Sequence, residues 1–348
     1  MNLVWDLTLY LVCLQLILLQ AVWFDPVSAA DSRQQHHRLT WFFASSMAAL
    51  WLVWGGYSVD AWRYLSRFDR NPLHFFEEQL FWVAGHSLGL ILPDPWPLKV
   101  MSALFAILVA LAYRWHYRQG DWRLPLAFML LLATPGCLLR GGTVIRQGLA
   151  GAIGIVAAAW LLRGGSWRWA LLFIPAFLVH QASLVFFVAL LAVRLTGRHL
   201  VWIWAAAFVV SPLIQLVVDL TGFNLNYLIA HSSEAEGQYH WEKLYISALL
   251  SLVVVASTLA HRSGEMDFRH IYLALVSCCH ALLLFEVPFE RLLLFADLAA
   301  PAALVQVLWL HHKQPRILVR LLTLLVVTAT AVLWNAHSIL LTLGLLWA

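Results

Sequence analysis

Between residues 140 and 183 the chain reads Arg140-Gly-Gly-Thr-Val-Ile-Arg146-Gln147-Gly-Leu-Ala150, then an apolar run, a basic turn from Arg163 to Arg168, and a second apolar run broken by His180-Gln181-Ala182-Ser183. Apolar runs bounded by arginines suit helices that sit in lipid. An imidazole inside such a run is expensive and is usually retained for a use.

Working outward, similar runs recur along all 348 residues, and 62% hydrophobic against 11% charged content with a mean hydropathy of +0.78 excludes the soluble class. Barrel strands would alternate over roughly ten residues, which these runs do not. The expected fold is all-α, a polytopic helical membrane protein of about 10–12 transmembrane helices in a single integral membrane domain, residues 1–348. Clear spans are 3–24, 39–55, 98–113, 124–139, 148–162, 200–218, 244–260, 271–285, 292–310 and 321–347. The first is expected to remain as a helix, because it lacks a basic leader and a small-residue cleavage site.

Several function classes drop out. The net charge of +4 is scattered over short loops, with no basic block to meet nucleic acid. No P-loop points to ATP-driven transport. Cys13, Cys137, Cys278 and Cys279 lie in apolar segments without metal-ligand spacing and read as packing residues.

Two segments stay ambiguous. Residues 77–92, behind the amphipathic stretch 57–70, are either a short span or part of an interfacial helical segment covering 57–92. Residues 169–194 are long for one span and carry Pro175 and His180 near the middle, which fits a re-entrant helix pair. With neither segment crossing, 14 of the 22 Lys and Arg residues fall on one side and 8 on the other, so the second side is read as external. With both crossing, the split is 12 against 10 and orients nothing. On the first reading the external face collects Asp60, Arg63, Tyr64, Glu77, Glu78, Arg140, Arg146 and Arg291, with His180 approaching it.

Each of these residues has two readings. Arg146, at a helix start after a glycine turn, suits an anion such as a phosphate, yet Arg140 and Arg146 would also anchor helix ends at headgroups. His180 is either a general base toward a sugar hydroxyl or a histidine hydrogen-bonded within the bundle. Asp60, Arg63 and Tyr64 share a helical face by three-and-four spacing, which serves a polar substrate or an interfacial helix equally well. Glu77 and Glu78 open a helix, where the dipole favours carboxylates. Asp297 is costly in lipid unless paired and is expected to face the interior. Most of the 19 tryptophans belong to interfacial belts, so none is assigned to substrate.

The order of these features resembles the EpsG-like branch of the Wzy-type bacterial polysaccharide polymerases. The resemblance rests on Gly56-Tyr57-Ser-Val-Asp60-Ala-Trp-Arg-Tyr64, Phe76-Glu77-Glu78-Gln79-Leu-Phe81, Ile145-Arg146-Gln147-Gly148-Leu149-Ala150, His180-Gln-Ala-Ser183, and an arginine opening a late span, Arg291. Gly56 and Asp60 stand four apart, where the family has them adjacent. The resemblance implies a GT-C-like glycosyltransferase of the bacterial inner (cytoplasmic) membrane, its active site facing the periplasm or exterior. It would polymerise oligosaccharide repeat units carried on undecaprenyl diphosphate into an exopolysaccharide or O-antigen, alongside a chain-length regulator and a flippase, without cofactor or metal. Catalytic roles would fall to His180, Asp60 and Glu78, and binding of diphosphate or glycan to Arg146, Arg291, Arg140, Gln147, Arg63, Tyr64 and Glu77. The alternatives are an O-antigen-ligase-like lipid-carrier glycosyltransferase, which differs in its acceptor, and a lipid or polysaccharide transporter, which needs polar residues continuing through the bundle.

Overall fold

A computed structural model describes residues 59–68, 78–117, 123–133, 145–164, 167–221, 241–260 and 266–311. The expected spans 3–24, 39–55 and 321–347, and residues Arg140 and Glu77, lie outside the described residues. Every regular element among the described residues is a helix, as expected for an all-α polytopic membrane protein.

The helices are α1 (Val59–Phe68), α2 (Gln79–Gly89), α3 (Trp96–His116), α4 (Arg123–Ala133), α5 (Ile145–Leu162), α6 (Phe173–Val179), α7 (Ser183–Thr196), α8 (Leu200–Thr221), α9 (Trp241–Ala260), α10 (Phe268–His280) and α11 (Glu286–His311). A 3-10 turn, Trp167–Leu172, leads into α6. By length and composition α3, α5 and α8 can each cross a bilayer. The chain divides into two compact units, with the boundary after Ser183.

In the first unit α5 packs along α3, and α6 packs on α5. The buried face of α5 is built of Gly148, Ala150, Gly151, Ala152, Gly154, Ala157 and Ala158, and such small side chains let helix backbones approach where lipid supplies no hydrophobic drive. Large partners fill the space from α3: Phe105, Val109 and Tyr113 are fully buried. Helix α2 bridges α1, α3 and α6. At 11 residues it rises about 16 Å, too little to cross a hydrocarbon core of about 30 Å. That favours the interfacial reading of 77–92 over a short span.

In the second unit α10 is the central element, with α8, α9 and α11 packed around it. Nearly all of its side chains are buried, including an arginine: Arg269 is fully enclosed. Its Nε donates to both oxygens of Asp267 at 3.1 and 2.9 Å, and its Nη1 donates to the Ser257 carbonyl at 3.1 Å. Asp267 also caps α10 by accepting the Arg269 amide at 2.9 Å. Burial would push the Asp267 carboxyl up, but the hydrogen bonds and charges of His270 and Arg269 outweigh it and hold the carboxyl below its usual range. Around this core α7 and α8 turn apolar residues outward. Leu184, Val188, Leu191 and Leu195 form one stripe, and Trp202, Val209, Leu213 and Leu216 are exposed on α8. A helix that exposes apolar residues on its outer face is one made for lipid.

Two boundaries on either side of Phe285 differ from those expected. Span 271–285 ends as a helix at His280, and a turn follows. Span 292–310 begins six residues earlier, at Glu286, because Pro288 falls in the first turn, where a helix needs no N–H from it. Arg291 therefore lies in the second turn of α11 and does not open a span. Asp297, expected to face the interior, is half-buried.

Segment 169–194 is broken, as Pro175 and His180 suggested. Helix α6 stops at Val179, His180 takes an extended conformation (φ −160°, ψ 119°), and α7 starts at Ser183. The His180 amide donates to Ala176 at 2.9 Å, and its carbonyl accepts from Ser183 at 3.0 Å. The break is thus held at both ends, with the imidazole projecting from it.

Candidate functional site

Glu78, Arg146 and His180 meet in the first unit. Each sits at a helix terminus: Glu78 just before α2, Arg146 as the second residue of α5, and His180 just after α6. One Glu78 oxygen, Oε2, accepts from Arg146 Nη1, and the other, Oε1, pairs with His180 Nδ1. The carboxylate side chain is 9% exposed, against 28% for Arg146 and 18% for His180. The site is therefore partly enclosed, with its cation and imidazole on the open side.

The backbone of Glu78 explains how it serves two partners. It adopts the left-handed conformation (φ 57°, ψ 37°), and its side chain makes no capping bond to α2. A residue with a Cβ adopts this conformation at a cost of about 1–2 kcal/mol. The expected dipole role of a carboxylate opening α2 is therefore not what Glu78 does, because the side chain points away from that helix's amides. Burial alone would push the Glu78 carboxyl up. The hydrogen bond and charge of His180 and the charge of Arg146 outweigh it and hold the carboxyl below its usual 4.5.

Three aromatic rings wall the guanidinium. The Arg146 Cζ lies 5.3 Å from the Tyr64 ring centroid, 5.5 Å from Trp82 and 6.0 Å from Phe81, all within cation–π range. The rings hold one another: Tyr64 meets Phe81 edge-on at 5.4 Å, and Phe68 packs on Phe81 at 5.8 Å and on Trp82 at 6.0 Å. After these contacts the Nε–H of Arg146 remains buried without a hydrogen bond. An unmade buried bond of that kind costs about 1–3 kcal/mol.

With Nδ1 donating to a carboxylate, the neutral imidazole of His180 keeps its lone pair on Nε2, the arrangement a general base requires. The guanidinium is placed for an anion. Among the described residues no group of three or more His, Cys, Asp or Glu side chains is set to hold a metal.

Of the remaining candidates, Tyr64 joins the site as a wall of Arg146. Tyr64 is buried with Phe68 on the packed stripe of α1, whereas Arg63 and Arg67 are exposed beside it, so Tyr64 and Arg63 do not present one common face. The Asp60 side chain lies outside the described residues. Gln147 is 2% exposed, against 28% for the neighbouring Arg146. Arg291 belongs to the second unit. Trp82, and Phe81 as a wall of the site, escaped the sequence reading. Their signal was the aromatic pair directly after Glu78-Gln79-Leu80, spaced to meet Tyr64 and Phe68 at i and i+4 on α1.

The chain matches the EpsG family over residues 39–341, a stretch that contains every one of these residues. No curated protein and no solved structure matches it significantly.

Proposed function

Because the chain belongs to the EpsG family, a family of polysaccharide polymerase-like membrane proteins, we propose that Glu78, Arg146 and His180 are the centre at which a lipid-linked glycan is transferred to a further repeat unit. The donor is a glycan on undecaprenyl diphosphate, and the acceptor is a sugar hydroxyl of another lipid-linked unit. The hydroxyl oxygen attacks the anomeric carbon as the carbon–oxygen bond to the diphosphate breaks. The hydroxyl proton passes to Nε2 of His180, and the lipid diphosphate leaves.

The observation that carries this reading is the bridging of Arg146 and His180 by the one carboxylate of Glu78. A base and a cation fixed side by side are what the attacking and leaving oxygens need, and preorganised charge at a developing anion is commonly the largest catalytic term. Glu78 orients the imidazole and stabilises it once protonated. Arg146 meets the leaving diphosphate with the exposed part of its guanidinium, and Tyr64 and Trp82 hold its plane. Guanidinium groups take the place of a metal ion, so turnover is expected to withstand a chelator. The site faces the exterior of the cytoplasmic membrane, the side on which the basic residues are fewer.

Incubating purified protein with a lipid-linked repeat unit tests the reading: dimers and longer glycans are expected, and Arg146→Ala abolishes them while the protein stays folded in the membrane. A normal chain-length ladder from Arg146→Ala refutes the central role of Arg146.

A further inference from the structure

In the centre described above the carboxylate of Glu78 already offsets the charge of Arg146. A lipid-linked diphosphate brings a negative charge on each phosphate. If Arg146 receives one of them, the other needs a cation not already paired.

Arg67 has the required position. It lies in the last turn of α1 and is exposed. Its guanidinium sits over Trp82, 5.7 Å from the ring centroid, and among the described residues it has no carboxylate partner. Trp82 is the ring that also faces Arg146, at 5.5 Å. The two guanidinium carbons are thus no farther apart than those two distances laid end to end, close enough for each to hydrogen-bond one of two adjacent phosphates. The backbone beneath Arg67 is pinned although its side chain is free to reach out. The next residue, Phe68, is 3% exposed, and its carbonyl is bound by Nδ1 of His86 at 2.6 Å.

We propose that Arg67 is a second phosphate-binding residue, held against Trp82 as Arg146 is, and that the pair takes the two phosphates of the lipid-linked donor. This rests on the reading of Arg146 as the diphosphate residue. A lipid headgroup offers the same phosphate chemistry as the donor, so the experiment separates the two sources.

Full-length protein in phosphatidylcholine nanodiscs is titrated with farnesyl diphosphate and, separately, placed in discs with and without phosphatidylglycerol. Wild type is expected to bind the diphosphate, and Arg67→Ala to bind it about tenfold more weakly, equivalent to about 1.4 kcal/mol. Arg67→Lys recovers part of that loss, since an ammonium keeps the charge without the planar fork. In turnover the change appears in KM for the donor more than in kcat. Unchanged affinity in Arg67→Ala alongside lost affinity in Arg146→Ala overturns the assignment of Arg67 and leaves the site reading intact. A loss confined to phosphatidylglycerol-dependent stability makes Arg67 a headgroup contact and overturns it too. Absence of binding by wild type refutes the diphosphate reading of Arg146 itself.

Discussion

Replacing Glu78 with glutamine keeps the shape of the side chain and removes its charge, which isolates what the carboxylate contributes. A guanidinium and a carboxylate with charge centres about 4 Å apart interact by about 4 kcal/mol at an effective dielectric of about 20. Arg146 is 28% exposed and also faces three rings, so water and cation–π contact compensate part of the loss. The expected cost in stability is about 2 kcal/mol. The cost in catalysis is larger, because the imidazolium formed at His180 loses the carboxylate that stabilises it. A loss of about 3–4 kcal/mol in the transition state corresponds to about 10²–10³-fold in kcat. Single-turnover extension of a fluorescent lipid-linked repeat unit, resolved as a ladder, reads that rate directly. Turnover of Glu78→Gln within about threefold of wild type would refute the idea that the carboxylate supports the base.

Glycine at the same position separates backbone from side chain. At φ 57° it relieves the left-handed strain, so Glu78→Gly is expected to be about 1 kcal/mol more stable than Glu78→Ala and as inactive as Glu78→Gln. Acid titration adds a check of sign. The Glu78 carboxyl is held below 4.5 in the folded protein, so its stabilisation is fully present above that value and is lost as pH falls through the lower folded value. The stability gap between wild type and Glu78→Gln should therefore close on acidification below about pH 4.5; a gap that stays constant would show that the group is not depressed.

His180→Ala is expected to slow extension by about 10²–10⁴-fold with lipid-linked repeat unit accumulating, the range general bases supply; unchanged turnover would return His180 to a packing role. Gly85→Ala places a methyl group against the Phe68 ring, and overpacking there should cost about 1–3 kcal/mol in thermal stability and loosen the wall around Arg146. A melting temperature equal to wild type would show that α1 and α2 can part without cost. Asp267→Asn leaves the buried guanidinium of Arg269 without its counter-charge and should destabilise the protein by about 3–5 kcal/mol, read as loss of folded protein after extraction; full recovery of folded protein would argue against that pair.

Helix character and membrane class were legible because hydrophobic runs state them directly. Arg146 and His180 were legible because polar residues inside such runs stand out. Their meeting at Glu78 was not, since the carboxylate is 68 residues from Arg146 and 102 from His180, and no periodicity spans such distances. A positive φ at a glutamate leaves no trace in composition either, so by position alone Glu78 read as a helix-dipole residue, and only the family resemblance gave it a catalytic role. The start of α11 was misplaced for a related reason: Pro288 and its charged neighbours look like a loop, yet they are also what a first helical turn tolerates.

The positive-inside tally shows a subtler limit. It treats each cation as a loop charge, but Arg269 is enclosed and neutralised by Asp267, and Arg146 is paired with Glu78. Neither presents a full charge to the membrane potential or to the insertion machinery. On the reading in which neither ambiguous segment crosses, Arg269 counts on one side and Arg146 on the other, so removing both takes the split from 14 against 8 to 13 against 7. The margin is the same, because each half of the protein spends one arginine internally. The proposed outward orientation of the site therefore depends on the other basic residues, and swapping those near α3 and α4, such as Arg114 and Arg123, bears on it more than any change at the centre.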